Sequence, residues 1–228
     1  HKSELLPLLV IEQMRKEVLL LLNQVRYFNC QMLCLKQKKT DSLLRNIKAF
    51  AEESFDTETY YRDLKQREGS ILDYYTQMQD VRLSEEDTEV LLQHIQAVRL
   101  CIYSAKATKD VEHNMQELEA SISESFFRQR EIISQEWMSF DAEIDALIAK
   151  IAENQSDFDI EARIDHERSL YEEKFSDIIK MMHKDEVTEI EASTLMNIYR
   201  KVLSGKKSLL RAVHHIHDFQ HTSTKIKN

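Results

Sequence analysis

The sequence predicts an all-α fold: six long helices forming two antiparallel three-helix bundles in tandem. Three observations predict it. Glycine occurs twice and proline once in 228 residues, where average usage would give roughly 16 and 11. Sheets need turn residues at each hairpin and phosphate loops need clustered glycine, the residue that takes positive φ without steric cost. Gly69 and Gly205 stand alone, which excludes an all-β fold, a P-loop and a Rossmann fingerprint. Hydrophobic residues at 42% and charged residues at 31% are too apolar for disorder and ordinary for a bundle. Apolar side chains also recur at three- and four-residue spacing along nearly the whole chain.

The first helix spans about Leu8 to Lys36, its stripe running through Ile11, Met14, Val18, Leu21, Leu22, Val25, Phe28, Met32 and Leu35. Lys36 to Lys39 suit its negative pole. Thr40 and Asp41 cap the second helix, which carries Leu44, Ile47 and Phe50, with a restart at Asp56 and Thr57 before Tyr60, Leu64, Ile71 and Tyr75. Gly69 inside it costs about 1 kcal/mol relative to Ala, so a close helix crossing is expected there. Ser84, ahead of Glu85, Glu86 and Asp87, starts the third helix. Its stripe is Leu91, Ile95, Val98, Ile102, Ala105, Met115 and Leu118.

A break near residues 120–125 divides the chain, with Ser121 and Glu124 spaced for a capping box. Helix four then holds Phe126, Phe127, Ile133, Trp137, Phe140, Ile144 and Ile151. Ser156 and Asp157 cap helix five, with Phe158, Ile164, Tyr171, Phe175, Ile178 and Met182. Helix six spans about Val187 to Phe219 through Leu195, Ile198, Val202, Leu209, Val213 and Ile216. The expected halves are residues 1–119 and 120–228. The heptad pattern is too irregular for one continuous coiled coil.

The formal net charge of −9 argues against nucleic acid as a partner, because phosphate backbones are bound through Lys and Arg. The most apolar stretch, Leu5 to Leu22, is broken by Glu12, Gln13, Arg15, Lys16 and Glu17, so it is no membrane span. The opening at His1 reads as a piece of a longer protein. Cys30, Cys34 and Cys101 lack metal-type CxxC spacing and are expected to be reduced core thiols.

Lys106, Asp110 and Asn114 fall at i, i+4 and i+8, one polar line along helix three. Such a line suits an internal hydrogen-bond network, a solvated face, or a metal or anion site that also draws on His113, three residues from Asp110. Asn197, Lys201 and Gly205 make a matching line on helix six, flanked by Arg200, Ser204, Lys207 and Ser208, and Lys206 with Lys207 offers an anion candidate or a solvated pair. Weaker cation candidates are Glu161 with Asp165, and the histidines His214, His217 and His221, of which the last two are i,i+4. No Glu-x-x-His, HExxH or nucleophile elbow occurs, so no enzyme, cofactor or catalytic residue is expected.

Residues 103–114, YSAKATKDVEHN, and 195–208, LMNIYRKVLSGKKS, with the LSEED start at 83–87, resemble the PhoU-like domain at the C-terminus of bacterial sodium/phosphate cotransporters. The resemblance implies tandem three-helix bundles and a cytosolic regulatory domain at the membrane face. Its implied partner is the transmembrane part of the same transporter, another transport system, or a second copy of itself. A free-standing PhoU-like regulator is the alternative, and a metal-binding bundle enzyme a third. PhoU proteins hold metal through a Glu/Asp-x-x-x-Asp motif in the third helix of each bundle. This chain has Lys106 four before Asp110, and Asn197 and Lys201 in the second half, so the resemblance implies that the metal has been lost. Lys106 is then expected to sit inside the bundle, its charge replacing the metal beside Asp110.

Overall fold

The computed structural model describes residues 2–34, 55–78, 83–153 and 159–225, with side chains from residue 7 and up to residue 217. The helices within these residues are α1 (Lys2–Leu33), α2 (Thr57–Met78), α3 (Glu85–Lys109), α4 (Glu112–Ala120), α5 (Glu124–Ala152), α6 (Ile160–His183) and α7 (Glu189–Lys225). The expected start at Thr40 and Asp41, with Leu35 to Phe50, lies outside the described residues, as do Ser156, Asp157 and Phe158.

The starts follow from short polar side chains accepting from free first-turn amides. Ser84 accepts from the Asp87 amide and Asp87 returns to the Ser84 amide, a complete capping box. Thr188 and Glu191 repeat the arrangement before α7. Asp56 accepts from the Thr59 amide at 3.1 Å. Two expected caps move: Ser123 rather than Ser121 accepts at the head of α5, and Asp159 caps α6. The expected third helix is divided into α3 and α4. Thr108 Oγ1 bonds back to the Ala105 carbonyl, and the Val111 amide takes the Thr108 carbonyl three residues back. This tightens the turn, and Val111 sits at φ −103°, ψ 5°.

Helix α2 runs antiparallel to α1, with Thr57 near Met32 and Arg67 bonded to Glu17. Helix α3 returns parallel to α1, joined by Asn29 to Ser104 and Thr108. In the second group, Lys174 pairs with Glu136 and Arg163 with Glu143, setting α6 antiparallel to α5. Lys206 pairs with Glu167 across α6 and α7. The two groups meet through α3 against α7 and α1 against α5, leaving α2 and α6 outermost. The expected boundary at 119/120 falls in the last turn of α4, which packs on α5 and α7 as well as on α1.

The apolar stripes supply one continuous core from Val10 to Ile216, in which Trp137, Phe28 and Phe140 are the largest fully buried side chains. Phe127 and Phe175 are exceptions, each about two-fifths exposed at 39% and 41%. Each lies one position off its helix's buried line, beside Phe126 and Lys174. Gly69 marks no crossing: a Cβ there would meet nothing within 4 Å. Gly205 does, since its Cβ would meet Ser104 Oγ at 3.5 Å.

Candidate functional site

The α3–α7 seam gathers most of the polar residues singled out in the sequence. Both helices bury an apolar stripe, and several polar side chains along it find partners across the seam. Gln93 meets His215. Ser104 Oγ donates to the Gly205 carbonyl at 3.0 Å. Lys201 reaches Asp110 at 2.8 Å, and Asn197 donates to Asn114 at 2.9 Å. The rungs rise along α3 and into α4, at Asn114, as they fall along α7, as antiparallel helices require.

The seam has a buried and an exposed level. In the buried level, Asn29 of α1 donates to Ser104 Oγ at 2.9 Å and accepts from Thr108 Oγ1 at 2.6 Å. All three side chains belong to fully buried residues. In the exposed level, Asp110 accepts from Lys106 at 2.5 Å through one oxygen and from Lys201 through the other. Partial burial pushes the Asp110 carboxyl up, but the two ammonium groups outweigh it and hold it below the ordinary value. Lys106 is raised by the same bond. Its side chain is 56% exposed, so the expected internal lysine is a surface lysine. An exposed ion pair of this kind adds little stability.

Further along, Arg200 donates to Asn197 at 2.9 Å. His113 points to solvent beside Glu117, and Ser204 is exposed. An Asp held by two ammonium groups is a poor general base, since both oxygens are occupied by charge-assisted bonds. Here Asp110 joins α3 to α7 through two charge-assisted bonds.

The weaker candidates do not converge. Glu161 is exposed and Asp165 pairs with Arg168 at 2.7 Å. His217 is buried and His214 half-buried, packed within the bundle rather than on an open helix, while the His221 side chain lies outside the described residues. Among the described residues no group of three or more His, Cys, Asp or Glu is placed to hold a metal ion. None of their helices is long and apolar enough to cross a membrane.

Three charged or polar features are not predicted from the sequence: Asn29, the burial of Lys206 against Glu167, and Arg130. Asn29 is the first; it occupies a core position between Val25 and Met32, which is a visible signal. The second is the buried pair of Lys206 and Glu167, 2.7 Å apart, with the ammonium 5.3 Å from the Phe140 ring centroid. It borders a cleft of about 20 Å³ lined by Glu136, Tyr171, Lys174 and Tyr199. Arg130 is the third, 3% exposed, donating to the Leu33 and Cys34 carbonyls and pairing with Glu119. An open polar groove of about 450 Å³ also lies between α1 and α2, beside Glu17, Asp63 and Arg67.

Comparison with protein-family models, curated proteins and solved structures returns no match for this chain.

Proposed function

We propose that the chain is a non-enzymatic, PhoU-like regulatory module acting at the cytoplasmic face of the membrane on a sodium-dependent phosphate transporter. Residues 1–119 and 120–228 are its two halves in this reading. The observation that carries it is the antiparallel docking of α3 on α7 through polar rungs, which include both segments of the sequence resemblance. The mechanism is conformational. The bundle favours one state of the transporter by binding it more tightly, and a tenfold bias needs about 1.4 kcal/mol of differential affinity.

The test is sodium-driven phosphate uptake in the source cells, with and without the coding segment for this chain. A changed maximal rate, with the chain recovered in complex with a membrane-embedded transporter, supports the proposal. A changed rate with the chain recovered free of any transporter favours the free-standing regulator. Unchanged uptake contradicts both.

A further inference from the structure

Two isoleucines project from one end of the bundle: Ile122 is fully exposed and Ile190 is 81% exposed. Apolar side chains scattered singly over a surface are ordinary, but these two share a place in the fold. The bond between Asn114 and Asn197 fixes the level of α4 against α7. Ile122 follows Asn114 by eight residues, and Ile190 precedes Asn197 by seven on the antiparallel helix. At about 1.5 Å per helical residue, both stand roughly 10 Å past that rung in the same direction. Phe127, 39% exposed, lies in the first turn of α5. The bond from Tyr199 to Gln129 at 2.8 Å brings that turn to the same end.

Local structure does not account for this exposure. Ser123 caps α5, so Ile122 and Phe127 occupy the two positions that ordinarily pack on each other as a hydrophobic staple. Ile122, fully exposed, closes no staple, and Phe127 is left partly open. Before α7 the corresponding position is Val187, which is buried, so Ile190 is not needed to fix the entry of that helix. The surface around them is nonetheless held in place. The Glu186 amide donates to the Met181 carbonyl at 2.9 Å and the Asp185 amide to the Met182 carbonyl at 3.2 Å, with Asp185 at φ 56°. This double closure satisfies the last carbonyls of α6. On the other side, the Ser123 amide donates to Ser121 Oγ at 3.0 Å. A partner therefore meets an ordered surface and loses less on binding.

The rim of this end is acidic. Residues 119–128 and 184–191 hold six carboxylates against Arg128 and Lys184. Glu119 is paired with Arg130, and Glu191 turns back on its own helix start at Thr188. Glu124, Asp185, Glu186 and Glu189 are exposed. Such a rim repels an anionic lipid surface or a nucleic acid. A second copy docking through the same face would set like charges against each other. The complement is a segment that is basic and apolar at once. We infer that this end of the bundle is a docking surface for a basic amphipathic segment in a cytoplasmic loop of a membrane protein. The placing of that segment rests on the transporter reading above, since cytoplasmic loops are rich in Lys and Arg. Its apolar side chains cover Ile122, Phe127 and Ile190, while its cations face Glu124, Glu186 and Glu189.

The experiment titrates the intact chain with a synthetic amphipathic peptide of leucine and lysine, and with its leucine–glutamate counterpart. Affinity is read by fluorescence anisotropy and location by hydrogen exchange. The lysine peptide should bind, protect residues 121–127 and 184–192, and weaken as salt is raised; the glutamate peptide should not bind. Ile122→Ser and Ile190→Ser should each weaken binding by about tenfold or more, the burial of one isoleucine expressed as affinity. Both side chains are exposed, so both variants should keep the wild-type melting temperature. Leu9→Ser, at an exposed position of α1, should leave affinity unchanged. No binding of the lysine peptide, protection elsewhere on the chain, or equal affinity in the Ile122→Ser, Ile190→Ser double variant overturns the inference. The double variant in the phosphate-uptake assay separates this surface from the transporter reading. Lost peptide binding with unchanged uptake upholds the surface and contradicts the transporter as its partner. Unaltered peptide binding removes the surface, whatever uptake does.

Discussion

At Asn29 a primary amide is enclosed between α1 and α3, donating to Ser104 and accepting from Thr108. Ser104 passes the connection to the Gly205 carbonyl of α7. Three helices therefore share one buried polar network, in which each bond is strong because water cannot compete. Removing one partner leaves the others buried without bonds, at about 1–3 kcal/mol for each stranded group. Asn29→Ala should lower unfolding free energy by at least about 2 kcal/mol on the same scale, read as a shifted urea midpoint at unchanged slope. His94 carries a second prediction at this scale. Burial holds its imidazole below the ordinary value, with the Val90 carbonyl, Arg15 and Glu12 as smaller influences. The unfolded chain then takes up the proton first as pH falls below about 6.5. The stability His94 contributes is complete above that pH and is lost on acidification. Urea midpoints should fall between pH 7.5 and 5.5, and less steeply in His94→Gln. Equal slopes with pH would contradict the assignment.

Among the elements, the helix ends explain which features were legible. Ser84 announces itself because the cap, its acidic first turn and the following apolar stripe are adjacent in sequence. The C-terminal end of α1 does not: its carbonyls are satisfied by Arg130, ninety-seven residues away from Leu33, and no local pattern encodes such a partner. The division of α3 from α4 was hidden for a similar reason. The apolar spacing continues across Asp110 and Val111, while at the break the one Thr108 hydroxyl proton lies between the Ala105 carbonyl and Asn29 of another helix. A helical glycine usually has a packing reason, which is why the sequence points to a crossing at Gly69, but the space above it is open. Gly69→Ala should therefore stabilise the chain by about 0.5–1 kcal/mol through helix propensity and loss of unfolded-state freedom. A melting temperature that falls would show that something covers α2.

For the whole molecule, the all-α class follows from glycine scarcity and apolar period, and both are properties of single helices. The seam is different. Lys106, Asp110, Asn114, Asn197 and Lys201 are visible as two polar lines, yet which atoms meet depends on the antiparallel register of α3 and α4 on α7. Burial depth is equally invisible in sequence: Lys106, expected inside, lies at the rim. The proposed conformational mechanism needs the two groups of helices coupled, and the seam together with Asn29 supplies a physical link between them. Native-state hydrogen exchange followed by mass spectrometry tests that coupling most directly, comparing peptides of α1 and α3 with peptides of α5 and α7. The account predicts that the slowest amides of both groups open with the same free energy, and that Asn29→Ala lowers both by the same amount. A drop confined to α1 and α3, with α5 and α7 unchanged, would contradict it.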